Sequence, residues 1–145
     1  MHENEISRIV VDAAIEVQRH FGGPGLLESV YEEALAVELQ ERGVTVQRQV
    51  PIEVEYKGRP LANDLRIDLV AENRVVIECM ATTRYNTIFE SQALTYLRLS
   101  KRHLALVINF GQIPVRKGIH RVVNALQTQP QSSGLAPQRV RSTLR

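Results

Sequence analysis

The chain has 145 residues, 43% of them hydrophobic, and carries 18 Lys and Arg against 16 Asp and Glu, a formal net charge of +2. This length and apolar share suit one compact soluble domain, and no apolar run is long enough to span a bilayer. The N-terminus has no signal-peptide pattern, so we expect a cytoplasmic protein with no membrane partner. A lone cysteine, Cys79, excludes an internal disulfide, and the histidines show no zinc spacing.

The positive charge is concentrated at the C-terminal end. Three arginines follow Pro130, so 18 minus 3 leaves 15 Lys and Arg against 16 Asp and Glu before it. The near-neutral body gives only weak support for a nucleic-acid partner. We predict a single domain over residues 1–128 and a flexible basic tail over residues 129–145, because the tail is rich in Pro, Ser and Gln.

The first half of the chain predicts two helices and then a strand. Apolar residues recur at helical spacing over residues 4–20, and the GGPG sequence at 22–25 ends that helix. A second helix is predicted over residues 26–42, with Gly43 in the position of a left-handed C-terminal cap. Apolar and polar residues then alternate through Tyr56, the pattern of a half-buried strand.

The second half predicts a hairpin, a helix and a buried strand. RIDLVA and RVVIECMA flank the short polar turn Glu72-Asn73. Thr87 and Glu90 have the spacing of a capping box for a helix that ends near residue 99. LALVIN at 104–109 is typical of a buried strand, and the segment at 118–126 fits either a strand or a short helix. The order helix, strand, strand, strand, helix, strand indicates an α/β sandwich with a mixed sheet.

Two acids stand inside the apolar hairpin. If the hairpin is centred on Asn73, Asp68 faces Glu78 directly, with Cβ atoms about 4.5–5.5 Å apart. Alternation sends the neighbouring apolar residues to the opposite, core-facing side; these are Ile67, Leu69, Ile77 and Cys79. Two carboxylates this close repel unless one is protonated or a cation lies between them, and a hard divalent ion such as Mg²⁺ or Mn²⁺ suits such oxygen ligands. The alternative is a solvent-facing pair neutralised by nearby arginines, namely Arg66, Arg74 or Arg84.

The second predicted helix carries further candidate residues. Glu28, Tyr31, Leu35 and Glu38 recur at every third or fourth position, so they are predicted to share one stripe. A stripe that mixes acids with a tyrosine is not a plain core face. The other acids of this helix are predicted to form a solvated surface; these are Glu32, Glu33 and Glu41.

The spacing of Gly25, Glu28 and Tyr31 resembles the G-x-x-E-x-x-Y signature of the GxxExxY family, small bacterial and archaeal proteins assigned to the PD-(D/E)XK nuclease-like superfamily. The similarity extends over residues 5–124. Its further matches are EL at 38–39, Gln49, YKG at 56–58, RIDLV at 66–70, VIE at 76–78, Gln92, YL at 96–97 and INFG at 108–111.

The resemblance implies a restriction-endonuclease-like core, α-β-β-β-α-β, with a mixed sheet flanked by helices and an additional N-terminal helix. It also implies a Mg²⁺ or Mn²⁺ site for phosphodiester hydrolysis of nucleic acid. By match to the motif, Asp68 and Glu78 are the two strand acids, Glu38 or Glu28 the helix acid and Gln92 the glutamine; the metal ligands expected are Asp68, Glu78 and Glu38. Tyr31 belongs to the signature without an assigned role.

Met80 departs from the motif, because it occupies the position of the motif lysine. A thioether cannot orient or deprotonate the attacking water as an ammonium group does. We therefore expect a nuclease-like protein whose hydrolytic activity is weakened or lost. The alternative is a non-catalytic module that keeps the fold and binds nucleic acid or a protein, and a short edge strand also permits a homodimer.

Overall fold

The computed structural model describes residues 1–125. Residues 126–128 of the predicted domain and the predicted tail at 129–145 lie outside this range. The described part of the chain contains helices α1 (Glu3–Phe21), α2 (Glu28–Glu41) and α3 (Ile88–Ser100), and a 3₁₀ helix at Val115–Gly118. Its strands are β1 (Val46–Pro51), β2 (Glu55–Tyr56), β3 (Arg59–Pro60), β4 (Arg66–Ala71), β5 (Val75–Met80), β6 (Leu104–Asn109) and β7 (Ile119–Val123).

Five strands form one mixed sheet in the order β1-β4-β5-β6-β7, while β2 and β3 form a separate two-stranded ribbon. Only β5 and β6 are parallel, and α3 makes the crossover between them. The other neighbours are antiparallel. This is the predicted restriction-endonuclease-like α/β architecture, with α1 as the additional helix.

Both faces of the sheet are buried. On one face α1 and α2 cover a cluster that includes Leu69, Ile77 and Cys79. On the other face α3 packs through Ala93 and Leu97. The prediction that Ile67 joins Leu69 in the first core is wrong, since Ile67 packs in the α3 cluster. Asp68 and Glu78 therefore lie in a sheet that helices cover on both sides.

Local sequence explains the limits of α1. The His2 side chain accepts a hydrogen bond from Asn4 N at 3.0 Å and the Glu5 carboxylate accepts one from His2 N at 3.2 Å, which caps the first turn. Gly22, with φ 81°, ends the helix in the left-handed region that glycine adopts without strain. None of the helices in residues 1–125 combines the length and hydropathy that a membrane span requires.

The structure corrects two local predictions. The alternating segment after Gly43 is not one strand: β1 ends at Pro51 and β2 begins at Glu55, and between them Ile52 N still donates to Leu65 O at 3.0 Å. The predicted capping box of α3 is absent, because Thr87 has helical backbone angles and its side chain makes no capping hydrogen bond. Asn86 Oδ1 instead accepts from Ile88 N at 2.9 Å.

Candidate active site

The hairpin of β4 and β5 brings Asp68 and Glu78 together as predicted. Leu69 pairs with Ile77, and the next two pairs along the strands follow the same register, which is centred on Asn73. Glu72 and Asn73 take φ values of 53° and 55°, and the tight turn that they make sets this register. Asp68 and Glu78 form the next facing position toward the open end of the hairpin.

At this position side chains replace the backbone ladder. Asp68 N donates to Glu78 Oε2 at 2.9 Å, and Cys79 N donates to Asp68 Oδ2 at 2.8 Å. Each carboxylate therefore satisfies an amide of the opposite strand that an ordinary ladder would pair with a carbonyl. The exchange fixes the orientation of both carboxylates.

The β1 ladder is also interrupted beside Asp68. Arg48 pairs with Leu69 and Val50 with Ile67, but Gln49 lies between them with φ 52°, a left-handed conformation that is uncommon for a residue with a side chain. Such a conformation costs about 1–3 kcal/mol and persists only where surrounding contacts impose it. The distortion lies at the acid pair, where strained backbone often accompanies function.

The pKa values of both carboxyl groups are raised. Burial raises the pKa of Asp68 to about 6, helped by the charges of Glu32 and Glu28. Burial and then the charge of Asp68 raise the pKa of Glu78 to about 8. The hydrogen bonds from the Cys79 and Asp68 amides oppose these shifts without cancelling them. The negative charges of Glu28 and Glu32 thus act on both Asp68 and Glu78.

Glu28 reaches the site from the first turn of α2. Its Oε2 accepts from Ala81 N, directly after β5, at 3.3 Å. Asn109 holds this segment in place, since its Oδ1 accepts from Thr82 N at 3.0 Å and its Nδ2 donates to Thr82 O at 3.0 Å. Gly111 packs so closely here that an added Cβ would lie 2.3 Å from Thr82 O. The INFG sequence at 108–111 therefore supports the end of β5.

Glu32 is a member of the site that the sequence did not predict. It was expected on a solvated surface, but it is only 6% exposed. Arg48 Nη2 donates to its Oε2 at 3.1 Å, and Gln49 Nε2 donates to both carboxylate oxygens at 3.0 Å. Its negative charge acts on Asp68 and Glu78. The sequence feature that could have predicted this is the position of Glu32 four residues after Glu28, one helical turn further on the same face.

Glu38 lies elsewhere on α2. The buried stripe of this helix follows Tyr31, Leu35 and Leu39, so Glu38 is rotated away from it. Its Oε2 accepts from Arg42 Nε at 2.7 Å, and it lines a groove between α1 and α2. The structure thus brings Glu28 and Glu32, and not Glu38, toward the hairpin acids.

Tyr31 is fully buried and supports the turn before α2. Its hydroxyl donates to Gly23 O at 3.0 Å and accepts from Leu26 N at 3.4 Å. Its ring stacks on Phe110, with centroids 4.6 Å apart and an angle of 2° between the planes. These contacts position the start of α2, and with it Glu28.

The third helix approaches the pair from the other sheet face. Gln92 is exposed near the start of α3. One turn later, Tyr96 is half-buried, and the charges of Glu78 and Asp68 contribute, after burial, to a raised pKa of its hydroxyl. The charges of both acids thus reach Tyr96, a residue for which the sequence predicts no role.

No lysine or arginine within residues 1–125 forms an ion pair with Asp68 or Glu78. Met80 is half-buried at the end of β5 and packs on the α3 cluster. Arg66 Nη1 donates to Gln49 O at 3.4 Å, and Lys57 Nζ lies 5.3 Å from the centroid of the Tyr56 ring. No ion pair in this part of the chain involves Asp68 or Glu78, so the alternative of an arginine-neutralised pair gains no support.

The donor set fits a hard divalent cation that keeps most of its waters. Within residues 1–125 no three His, Cys, Asp or Glu side chains are arranged to hold a metal ion as they stand. Asp68 and Glu78 each commit one oxygen to an amide, which leaves the second oxygen of each carboxylate for a cation. One or two carboxylates are the usual protein share of a Mg²⁺ site, and a cation would stabilise the ionised form of carboxylates whose pKa values are raised by burial and then by neighbouring negative charges.

The mixed sheet with helices on both faces and an acid pair on adjacent central strands defines a restriction-endonuclease-like protein. A family model described as the PD-(D/E)XK nuclease superfamily matches residues 4–122, and the chain belongs to that superfamily. This membership indicates a nuclease-like protein, and the superfamily typically uses divalent metals and binds nucleic acid. No curated protein and no solved structure shows significant similarity to the chain.

Proposed function

We propose that this chain is a nuclease-like protein of the GxxExxY type that holds Mg²⁺ or Mn²⁺ through Asp68 and Glu78. We further propose that its hydrolysis of phosphodiesters is weakened or lost because Met80 replaces the motif lysine. The observation that carries the proposal is the reciprocal bonding of the two carboxylates to opposite-strand amides, combined with their raised pKa values.

The residues around the pair have separable roles in this proposal. Asp68 and Glu78 bind the cation, Glu28 and Glu32 add negative potential, and Gln49 keeps Glu32 in place. A bound divalent ion would supply Lewis-acid chemistry at a phosphodiester. The Met80 thioether carries no proton and no charge, so it can neither orient an attacking water nor stabilise developing negative charge. Cation binding is thus retained while the proton-handling group is missing.

The GxxExxY assignment is supported by what each signature residue does. Gly25 takes φ 126°, which an L side chain rarely adopts, in the turn before α2. Tyr31 anchors that turn to Phe110, and Glu28 bonds the backbone after β5. The three residues therefore work together to connect α2 to the end of β5.

A non-catalytic binding module is the second candidate function. It is favoured by the environment of Met80, because the half-buried side chain packs against the apolar cluster around α3. In that case Asp68 and Glu78 would hold a cation that contributes positive charge for phosphate binding without cleavage.

Calorimetric titration with Mn²⁺ tests the proposed site. At pH 8.5, above the pKa values of about 6 and about 8, the ionised forms of Asp68 and Glu78 predominate, and we expect saturable binding that Asp68→Asn weakens roughly 10–100-fold. Glu33→Gln is the matched control, since Glu33 is exposed on α2 and outside the contacts described above. Absence of Mn²⁺ binding, or equal affinities for wild type and Asp68→Asn, would contradict the proposal.

A further inference from the structure

A groove lined by three basic and three apolar side chains lies at the far edge of the sheet from β1. It measures about 300 Å³ and is walled by α1, the 3₁₀ helix and β7. Its charged lining consists of Arg116, Lys117 and Arg121, and Ser7 adds a hydroxyl. No acidic residue lines it. The groove therefore has the character of a site for anions.

The cations of this groove are not neutralised. Arg121 donates from Nη1 to Ser7 Oγ at 3.3 Å and from Nη2 to Asn4 Oδ1 at 3.0 Å, and both acceptors are neutral. No ion pair within residues 1–125 involves Arg116, Lys117 or Arg121. Residues 126–145 contain no Asp or Glu, so the remainder of the chain supplies no side-chain carboxylate. Three positive charges thus stay available to a ligand.

The groove is distinct from the acid pair. Arg121 faces Leu106 across β7 and β6, and Leu106 belongs to the core under α1. Asp68 and Glu78 stand on β4 and β5, further across the sheet. A ligand in the groove is therefore held by positive charge, whereas the acid pair repels the same ligand unless a metal ion is present.

We propose that this groove binds the phosphodiester backbone of a nucleic acid. Arg116 and Lys117 are exposed and adjacent, and Arg121 is oriented by two hydrogen bonds that leave further guanidinium donors for phosphate oxygens. The choice of nucleic acid over other anions rests on the proposed function. The consequence is that the protein retains nucleic acid at a surface separate from the acid pair and without a metal ion.

The test is fluorescence-anisotropy binding of a 20-mer duplex and its single strand, in EDTA and at several salt concentrations. The variant Arg116→Gln/Lys117→Gln removes two exposed charges and leaves the Arg121 contacts with α1 intact. Lys57→Gln/Arg59→Gln, on the separate β2–β3 ribbon, removes the same charge and is the control. We expect the groove variant to bind duplex roughly tenfold or more weakly, with the slope of log K against log salt reduced by about 1.8.

The outcomes separate this inference from the proposed metal site. Equal weakening by the groove and control variants, or no binding of either oligonucleotide by the wild type, overturns the groove assignment. Inorganic phosphate or a dinucleotide that binds as tightly as the 20-mer also overturns it, because the groove would then be a small-anion site. Asp68→Asn should not weaken binding in EDTA, so loss of Mn²⁺ affinity and loss of oligonucleotide affinity are independent results.

Discussion

Asp68 and Glu78 each cap the opposite strand of the β4–β5 hairpin: the Asp68 amide donates to Glu78 at 2.9 Å, and the Cys79 amide donates to Asp68 at 2.8 Å. The two carboxylates are therefore held together by the backbone despite their mutual repulsion. In the absence of a cation, burial and the negative charges around the pair outweigh these hydrogen bonds and raise the pKa of both carboxyl groups.

The first prediction concerns stability against pH without metal. The folded-state pKa values are raised to about 6 for Asp68 and about 8 for Glu78, whereas both groups titrate near ~4 when unfolded. Between the unfolded-state and folded-state pKa values, the folded protein binds more protons than the unfolded chain. The free energy of unfolding therefore falls as pH rises, by at most about 1.4 kcal/mol per pH unit for each additional proton bound. Urea unfolding should show a smaller decline for Glu78→Gln than for wild type.

Glu33→Gln is the control for this experiment and should keep the wild-type slope. If wild type and Glu78→Gln lose stability equally between pH 5 and pH 8, Glu78 binds the same number of protons in the folded and unfolded states over that interval, and folding does not raise its pKa.

The second prediction concerns Met80. Met80→Lys places an ammonium group two residues beyond Glu78, where the motif has it, and should raise Mg²⁺- or Mn²⁺-dependent cleavage of oligonucleotides. By analogy with an oxyanion-hole donor, the gain is ~10²–10³-fold, or about 2.7–4 kcal/mol. A gel assay of labelled DNA and RNA measures it. Met80→Leu controls for the change in side-chain shape and should not raise cleavage. Met80→Lys/Glu78→Gln should show no cleavage, and cleavage by this double variant would mean that the active site lies elsewhere.

The third prediction concerns the buried carboxylate that sequence reasoning missed. Arg48→Met leaves Glu32, which is 6% exposed, without its charged partner, and should lower the free energy of unfolding by about 1–3 kcal/mol. Arg48 is itself partly exposed, which keeps the effect below that of a fully buried pair. In urea unfolding, Glu32→Gln/Arg48→Met should recover part of the loss. Additive losses in the double variant would show that the two side chains do not interact.

The fourth prediction tests the role of Tyr31. Tyr31→Phe removes the bond to Gly23 O but keeps the stacking on Phe110, so it should cost about 0.5–1.5 kcal/mol of stability and leave the Mn²⁺ affinity unchanged. Tyr56→Phe, at an exposed position, should be neutral. A large loss of Mn²⁺ affinity in Tyr31→Phe with normal stability would mean that the hydroxyl serves the site directly.

Much of the fold could be predicted from local patterns. The period of the apolar residues distinguishes helices from strands, and the turn at Glu72-Asn73 determines which residues of β4 and β5 face each other. The proximity of Asp68 and Glu78, one residue beyond the last paired position, agrees with that register. The prediction that placed Ile67 with Leu69 failed because the β1 ladder is interrupted at Gln49, beside Asp68, and strict alternation assumes regular strands.

The rest of the site depended on contacts between distant segments. The sequence around a glutamate of α2 does not show whether its side chain is buried or solvated. Glu32 can be buried because Arg48 and Gln49, on β1, donate hydrogen bonds that offset its desolvation. Glu38 has the same chemistry but faces Arg42, since helix rotation turns it from the sheet. The sequence pattern of the hairpin therefore predicted that Asp68 and Glu78 lie close together. Which helix acids join them depends on tertiary packing, because desolvation and charge compensation arise only when separate elements meet.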